Sequence, residues 1–216
     1  MIAIDIDSGL AELDADGGVR LPRGARDKLA AYLDLLAKWN RTYNLTAIRE
    51  RERMVTHHVL DSLAVLPHLR EPDGSRGLSL LDVGSGGGVP SLPLAIARPG
   101  WRVVALDSSH KKGAFLQQAV SELALANVEA IVARVEDYRP ATLFDVVISR
   151  AFSDLATFAE SSARHLAAGG SLVAMKGVRP DEEIAHLPSA FRVASTRTLA
   201  VPGIDAARHL VVMEPA

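Results

Sequence analysis

The sequence predicts an α/β protein: a doubly wound sheet, mostly parallel, with an antiparallel edge hairpin and a helical extension at its N-terminus. Three observations carry this. From about residue 78 onward, short apolar runs alternate with helical segments, the pattern of parallel strands covered on both faces by helices. Five residues between the first apolar run and the first of those helices, Gly84–Gly88, include four glycines. Near the C-terminus the alternation stops, and two strand-like runs flank Pro202–Asp205 (PGID) with no helix between them.

Composition sets the frame. A chain of 216 residues, 48% hydrophobic and 23% charged, suits one medium domain with a small appendage. The net charge of −2 denies it a strongly basic global field, so any nucleic-acid contact must come from a local basic face. The absence of cysteine excludes a disulfide framework, a thiolate metal site and a cysteine nucleophile. The acidic opening stretch lacks the basic start of a secretory signal, and no apolar run approaches the ~18 residues of a membrane span. The expectation is a cytoplasmic protein with no membrane contact.

The elements follow in order. Leu29, Tyr32, Leu33, Leu36 and Trp39 recur at helical spacing, which makes one buried face. Asn40–Thr46 (NRTYNLT) breaks that helix. A second helix is expected from about Glu50 to Leu69, with Arg49, Arg51 and Arg53 at its start, where the helix dipole favours acids instead. That run is either a solvated surface or an anion contact. Glu71–Gly77 (EPDGSRG) is turn-rich, and divides an N-terminal segment and helical extension, residues 1–72, from a sheet domain, residues 73–216, the two forming one compact unit. Strands are expected at Leu78–Val83, Arg102–Asp107, Val128–Val132, Phe144–Ser149 and Ser171–Met175. Helices are expected at about Pro90–Ala97, Lys111–Leu125, Leu155–Leu166 and Asp181–Leu187. Phe191–Leu199 and His209–Met213 complete the hairpin.

The glycine turn lies where such sheets bind ligands, at the carboxyl end of a strand and the start of a helix. A dinucleotide fingerprint would need a third glycine where Val89 stands. A P-loop would need Lys and Ser/Thr where Val89 and Pro90 stand. What remains is D-x-G-x-G-x-G: Asp82, Gly84, Gly86 and Gly88. Asp107 ends the second strand, where a carboxylate accepts hydrogen bonds from ribose hydroxyls or caps the next helix. The loop and this acid together resemble the class I S-adenosylmethionine-dependent methyltransferases, whose fold is Rossmann-like. In that fold Arg134–Tyr138 (RVEDY) would lie beside the adenine, with Val135 and Glu136 nearest. Arg150, delivered to the sheet edge by Phe144–Ser149, would meet the cofactor's carboxylate or form a salt bridge to Asp82 or Asp154.

A closer resemblance rests on seven elements in order: W-N-x-x-x-N-L-T (Trp39–Thr46), H-x-x-D-S (His58–Ser62), D-V-G-S-G-G-G-V-P (Asp82–Pro90), R-V-E (Arg134–Glu136), S-R-A-F (Ser149–Phe152), K-G (Lys176–Gly177) and R-H-L-V (Arg208–Val211). Together, over about residues 25–213, they resemble the glucose-inhibited division protein B family of bacterial 16S ribosomal RNA guanine-N7 methyltransferases. Ser91 departs from the pattern, which has glycine after the loop proline.

The resemblance implies transfer of a methyl group from S-adenosylmethionine to N7 of a guanine in 16S rRNA, presented as naked rRNA or in the small ribosomal subunit, by a monomer. Guanine N7 carries a lone pair and no proton, so the reaction calls for in-line positioning and no general base. The product ring becomes cationic. Implied cofactor-binding residues are Gly84, Gly86, Gly88 and Val89 around the methionine and ribose, Asp107 on the ribose, and Val135 and Glu136 at the adenine. Arg150 would take the carboxylate or a target phosphate. His58, Lys176 and Arg197 are assigned to the RNA side, with Arg150 and Lys176 the candidates for aiding the transfer; a core or surface histidine is the alternative for His58. Arg41, Arg49, Arg51, Arg53, Lys111 and Lys112 would supply a basic patch. Trp39 and Tyr43 could stack on bases, although the spacing of Trp39 favours the core. Rival readings are a small-molecule methyltransferase of the same fold and a non-catalytic module that only binds RNA or cofactor. A hydrolase reading has only Ser108-x-x-Lys111 and Ser109-x-x-Lys112, with no partner motif. A metal site at His57, His58 and Asp61 lacks a recognised ligand pattern.

Overall fold

The computed structural model describes residues 5–15, 19–72, 76–150, 152 and 154–216. Residues 73–75 of the turn-rich stretch and Ala151 of the S-R-A-F element lie outside them.

Helix α1 (Ile6–Ala15), within the acidic opening stretch, is an element the sequence pattern did not suggest; its Leu13 is buried, and Ile6 and Leu10 pack against the main core. Helix α2 (Ala25–Tyr43) buries Leu29, Tyr32, Leu33 and Leu36 along the expected face. Trp39 is half-buried, with its ring edge-on to Phe115 at 5.7 Å and tilted against Tyr43 at 4.9 Å. Asn44, in the left-handed region at φ 49°, ends α2. Asn40 then stitches the following loop, its side chain accepting from Thr46 N and donating to the Ile48 carbonyl.

The second helix differs from expectation. It is broken into α3 (Arg51–Met54), a π-helical turn (Val55–Leu60) and α4 (Asp61–Leu63), and a 3-10 turn over Leu66–His68 replaces its end. Hydroxyls account for part of the widening: Thr56 donates to the Arg53 carbonyl and Ser62 to that of His58, in competition with the backbone ladder. Pro67, which has no N–H and disfavours α geometry before it, accounts for the early stop.

The sheet has seven strands in the order β3-β2-β1-β4-β5-β7-β6. These are β1 (Ser79–Val83), β2 (Arg102–Asp107), β3 (Val128–Val132), β4 (Phe144–Ser149), β5 (Leu166–Lys176), β6 (Phe191–Thr198) and β7 (His209–Pro215). The first five pair in parallel; β7 runs antiparallel between β5 and β6. Strand β5 is longer than the apolar run Ser171–Met175 and starts at Leu166, with a register shift opposite Phe144–Val146. Helices α5 (Ser91–Ala97), α6 (His110–Glu122), α7 (Leu155–Ser162) and α8 (Asp181–Ala185) follow strands β1, β2, β4 and β5.

Successive side chains on a strand point to opposite faces, and the core divides accordingly. On one face Leu80, Val103, Ala105, Val146 and Ile148 pack with Leu29, Leu33 and Leu36 of α2 and Phe115 of α6. On the other, Leu81, Val83, Val104, Leu106 and Val147 pack with Leu155 and Phe158 of α7. The N-terminal helices thus share a core with the sheet. The strand order reverses between β1 and β4, so the loops after these strands part there and open a crevice.

Candidate functional site

The glycine loop after β1 forms one wall of that crevice. Gly84 N and Ser85 N both donate to the Leu106 carbonyl at the end of β2. Gly86 N donates to Asp107 Oδ2 at 2.9 Å. Gly86 has φ +58°, and a Cβ there would meet nothing closer than the Gly84 carbonyl oxygen at 3.8 Å, so this stretch offers bare backbone beside open space. Gly88 is constrained from behind: its φ is +81°, and a Cβ would lie 2.5 Å from Leu92 Cδ1. From the N-terminal helix, the buried Tyr32 hydroxyl donates to the Gly87 carbonyl at 2.7 Å, fixing the loop from the side away from β2. Burial pushes the Tyr32 hydroxyl pKa up, which keeps it a donor.

Three adjoining cavities line up along the crevice. The first, about 290 Å³, is walled by Gly84, Asp107, Lys112, Val135, Glu136 and Phe152, among others. Asp107 is buried, its Oδ1 accepting from Ser109 N at 2.9 Å and its Oδ2 lying 3.5 Å from Lys112 Nζ. It therefore makes the turn into α6 and holds the glycine loop while still facing the cavity. The Val135 carbonyl is held by Arg164 and by His165 Nε2 at 3.0 Å. The Glu136 side chain is exposed, 3.5 Å from Arg134 Nε. Lys112 belongs to this cavity, whereas the sequence grouped it with a surface patch.

The second cavity, about 240 Å³, lies on the other side of the loop against Leu36, Leu45, Thr46, His58, Gly84, Gly86, Val89 and Arg150. The third, about 400 Å³, shares Thr46, His58 and Arg150 with it and adds His57, Asp61, Lys176, Arg208 and His209. The π turn matters here: α3, the turn and α4 bring His57, His58 and Asp61 to one wall. His58 is 2% exposed, so the core assignment describes its burial, yet it lines both cavities. Its Nε2 lies 3.0 Å from Thr46 Oγ1, and its Nδ1 has no hydrogen-bond partner. Burial and the nearby Arg150 charge push its pKa down to about 4, so the ring is neutral at neutral pH. Lys176 Nζ is held by Glu183 at 2.7 Å and by the Phe152 carbonyl at 3.2 Å.

Arg150 departs from both salt bridges the sequence offered. Its Nη1 donates to the His57 carbonyl at 2.7 Å and to Asp61 Oδ2 at 3.3 Å. Asp154 is engaged elsewhere, as the N-cap of α7. Asp82 is fully buried in β1, where its Oδ2 accepts from Ser91 N at 3.2 Å. Its Oδ1 has no partner, and burial pushes its pKa up to about 7. Ser91, the departure from the family pattern, is itself buried, its Oγ 3.4 Å from Ser85 Oγ.

Arg208 and His209 received no role from the sequence, Asp61 only a metal reading without a recognised ligand pattern, and Tyr32 only a place on the buried face of its helix. The first three belong to the H-x-x-D-S and R-H-L-V elements, which were the available signal. Arg197 is exposed on the edge strand β6, outside the residues walling these three cavities. Arg49, Arg51 and Arg53 have surface partners in Asn44, Asp34 and Glu50.

A family model described as rRNA small subunit methyltransferase G matches residues 25–211. The ribosomal RNA small subunit methyltransferase G of Laribacter hongkongensis is 51% identical over 207 residues, which cover 96% of this chain and 95% of that one. The same-named protein of Chromobacterium violaceum is 50% identical, covering 97% and 96%. Among solved structures, a SAM dependent methyltransferase from Aquifex aeolicus superposes with a TM-score of 0.57 at 20% identity, over 82% of this chain and 97% of that one. TrmN from Thermus thermophilus gives 0.53 at 19% identity, over 75% and 53%. At these identities the two structures share the fold.

Proposed function

The chain belongs to the rRNA small subunit methyltransferase G family, and from that premise we propose that it methylates N7 of a guanine in 16S rRNA, using S-adenosylmethionine. The observation that carries the reading is the continuity of the crevice: the cavity beside Asp107 shares Gly84 with a second on the far side of the glycine loop, and that one shares Thr46, His58 and Arg150 with the cation-walled third.

The residues present fit the cofactor. Bare backbone at Gly86, with Gly84, Gly88 and Val89, would lie against the methionine and ribose. Asp107 would accept from ribose hydroxyls while its backbone bonds keep its carboxylate aimed. The buried Val135 and the neighbouring Glu136 would flank the adenine. When bound, the cofactor supplies a sulfonium methyl group: the N7 lone pair forms the new N–C bond, the C–S bond breaks onto sulfur, and no proton moves. The protein's part is then to hold the target base in line and to exclude water, which the neutral His58 serves better than a charged one would. Arg150, His58 and Lys176 would line the base's chamber, Arg150 also reaching the methionine carboxylate or a phosphate, and Arg197 would meet RNA outside it. The same reading has the protein act as a cytoplasmic monomer on the small subunit or its rRNA.

The test is methylation of small subunits from cells lacking this gene, with labelled cofactor. Label at a guanine N7 supports the proposal. Label in a small molecule, with none in rRNA, refutes it in favour of a metabolite enzyme; cofactor binding without transfer refutes it in favour of a binding module.

A further inference from the structure

The third cavity is organised around one buried carboxylate. Asp61 opens α4, directly after the π turn, and its side chain is 3% exposed. Its Oδ2 accepts from Arg150 Nη1 at 3.3 Å, and its Oδ1 forms an ion pair with Arg208 Nε at 3.3 Å without a hydrogen bond. The two arginines come from distant parts of the chain, one just past β4 and one just before β7, and both line the cavity. Each has a second tether: Arg150 Nη1 to the His57 carbonyl at 2.7 Å, Arg208 Nη1 to the Ala207 carbonyl at 3.0 Å. Among the described residues walling this cavity, Asp61 is the only carboxylate.

Stability is a poor account of such a group. A buried ion pair recovers little beyond its desolvation cost, and one carboxylate cannot neutralise two guanidinium groups. Geometry is the better account. Guanine presents O6 and N7 side by side, and an unrestrained arginine closes on both as a fork. That fork would occupy the lone pair that must attack the methyl group. A guanidinium with one edge committed to a carboxylate can still offer its remaining N–H groups to O6 or to a phosphate.

We propose that Asp61 is a positioning residue of methyl transfer: it holds Arg150 and Arg208 by one edge each, so that they grip the target nucleotide without covering N7. This rests on the guanine-N7 reading above.

The experiment compares wild type, Asp61→Asn and Asp61→Glu in single- and multiple-turnover methylation of small subunits, with cofactor affinity and thermal stability measured alongside. In Asp61→Asn, kcat should fall by about tenfold or more while KM for the subunit does not rise, because the freed arginines still bind the base but now mask N7. Cofactor Kd should stay within about twofold, and Asp61→Glu should recover part of kcat. A rise in KM at unchanged kcat overturns the proposal, as does an unchanged kcat, or a loss of cofactor binding in step with kcat. If the Asn variant does not fold, Asp61→Ser takes its place: reduced kcat without a rise in KM supports the role, and wild-type kcat overturns it. Wild-type protein that leaves N7 unmodified overturns the function itself, and this role with it.

Discussion

Replacing Tyr32 with Phe tests whether the N-terminal helix is part of the cofactor site. Its hydroxyl is buried and donates to the Gly87 carbonyl at 2.7 Å, from a helix whose Leu36 also lies behind that loop. The Phe ring fills nearly the same volume, so packing is kept and only the bond is lost. An acceptor left buried without its donor costs about 1–3 kcal/mol. For a chain of this size each kcal/mol lowers Tm by roughly 2–4 °C, so a drop of about 2–12 °C is expected by calorimetry. Gly86 N, one residue away, is held by Asp107 alone among side chains, so loosening Gly87 should also weaken cofactor binding several-fold in titration calorimetry. A variant with wild-type Tm and wild-type affinity would refute the idea that this hydroxyl braces the loop.

Asp107→Ala removes acceptors for the ribose and for Gly86 N, and should weaken cofactor binding by about 1–3 kcal/mol, roughly 5- to 150-fold in Kd; unchanged affinity sinks the ribose assignment. Gly88→Ala puts a Cβ 2.5 Å from Leu92 Cδ1 at a φ of +81°, and should cost about 1–3 kcal/mol in urea unfolding. Burial pushes the Asp82 pKa up to about 7 in the fold, from the 3.8 ordinary for an aspartate. Between those values the folded state keeps a proton on Asp82 that the unfolded state has lost, so the contribution of Asp82 to the stability of the cofactor-free protein should fall as pH rises from about 4 to about 7, by on the order of 4 kcal/mol, while the depressed pKa of His58 acts in the opposite sense between about 4 and its ordinary 6.5. Subtracting the Asp82→Asn profile from that of wild type should leave a difference that falls as pH rises, and identical pH profiles for the two proteins would contradict the burial argument.

Legibility in the sequence tracked the range of the interactions. Strands β2 and β4 begin and end where the apolar runs do, because a strand buried between two helical layers has little choice of residue; β3 matches its run as well, although it is an edge strand and only partly buried. The loop Asp82–Gly88 was legible because left-handed backbone and close contacts admit little but glycine. The Asp61 cluster was not, since its partners stand at positions 150 and 208 and only folding brings them together. The π turn escaped because Thr56 and Ser62 fit a plain helix equally well until their hydroxyls engage carbonyls. Helix α1 escaped because its few apolar residues, Ile6, Leu10 and Leu13, gain meaning only from the core they cover. Arg197, assigned to the RNA side, stands on β6, the outer strand of the sheet, where an exposed charge also discourages edge-to-edge pairing.

Among the described residues walling the third cavity, Arg150 and Arg208 share the acid Asp61, and Lys176 is paired with Glu183. A neutral purine rich in acceptors is at home there. Once methylated, that ring bears a positive charge and faces the same guanidinium and ammonium groups, now as a neighbour of like sign. On the proposed function, the chamber that would admit the base would thus work against its retention after transfer. Ejection of the modified nucleotide would be fast at low salt, and turnover would be limited by an earlier step.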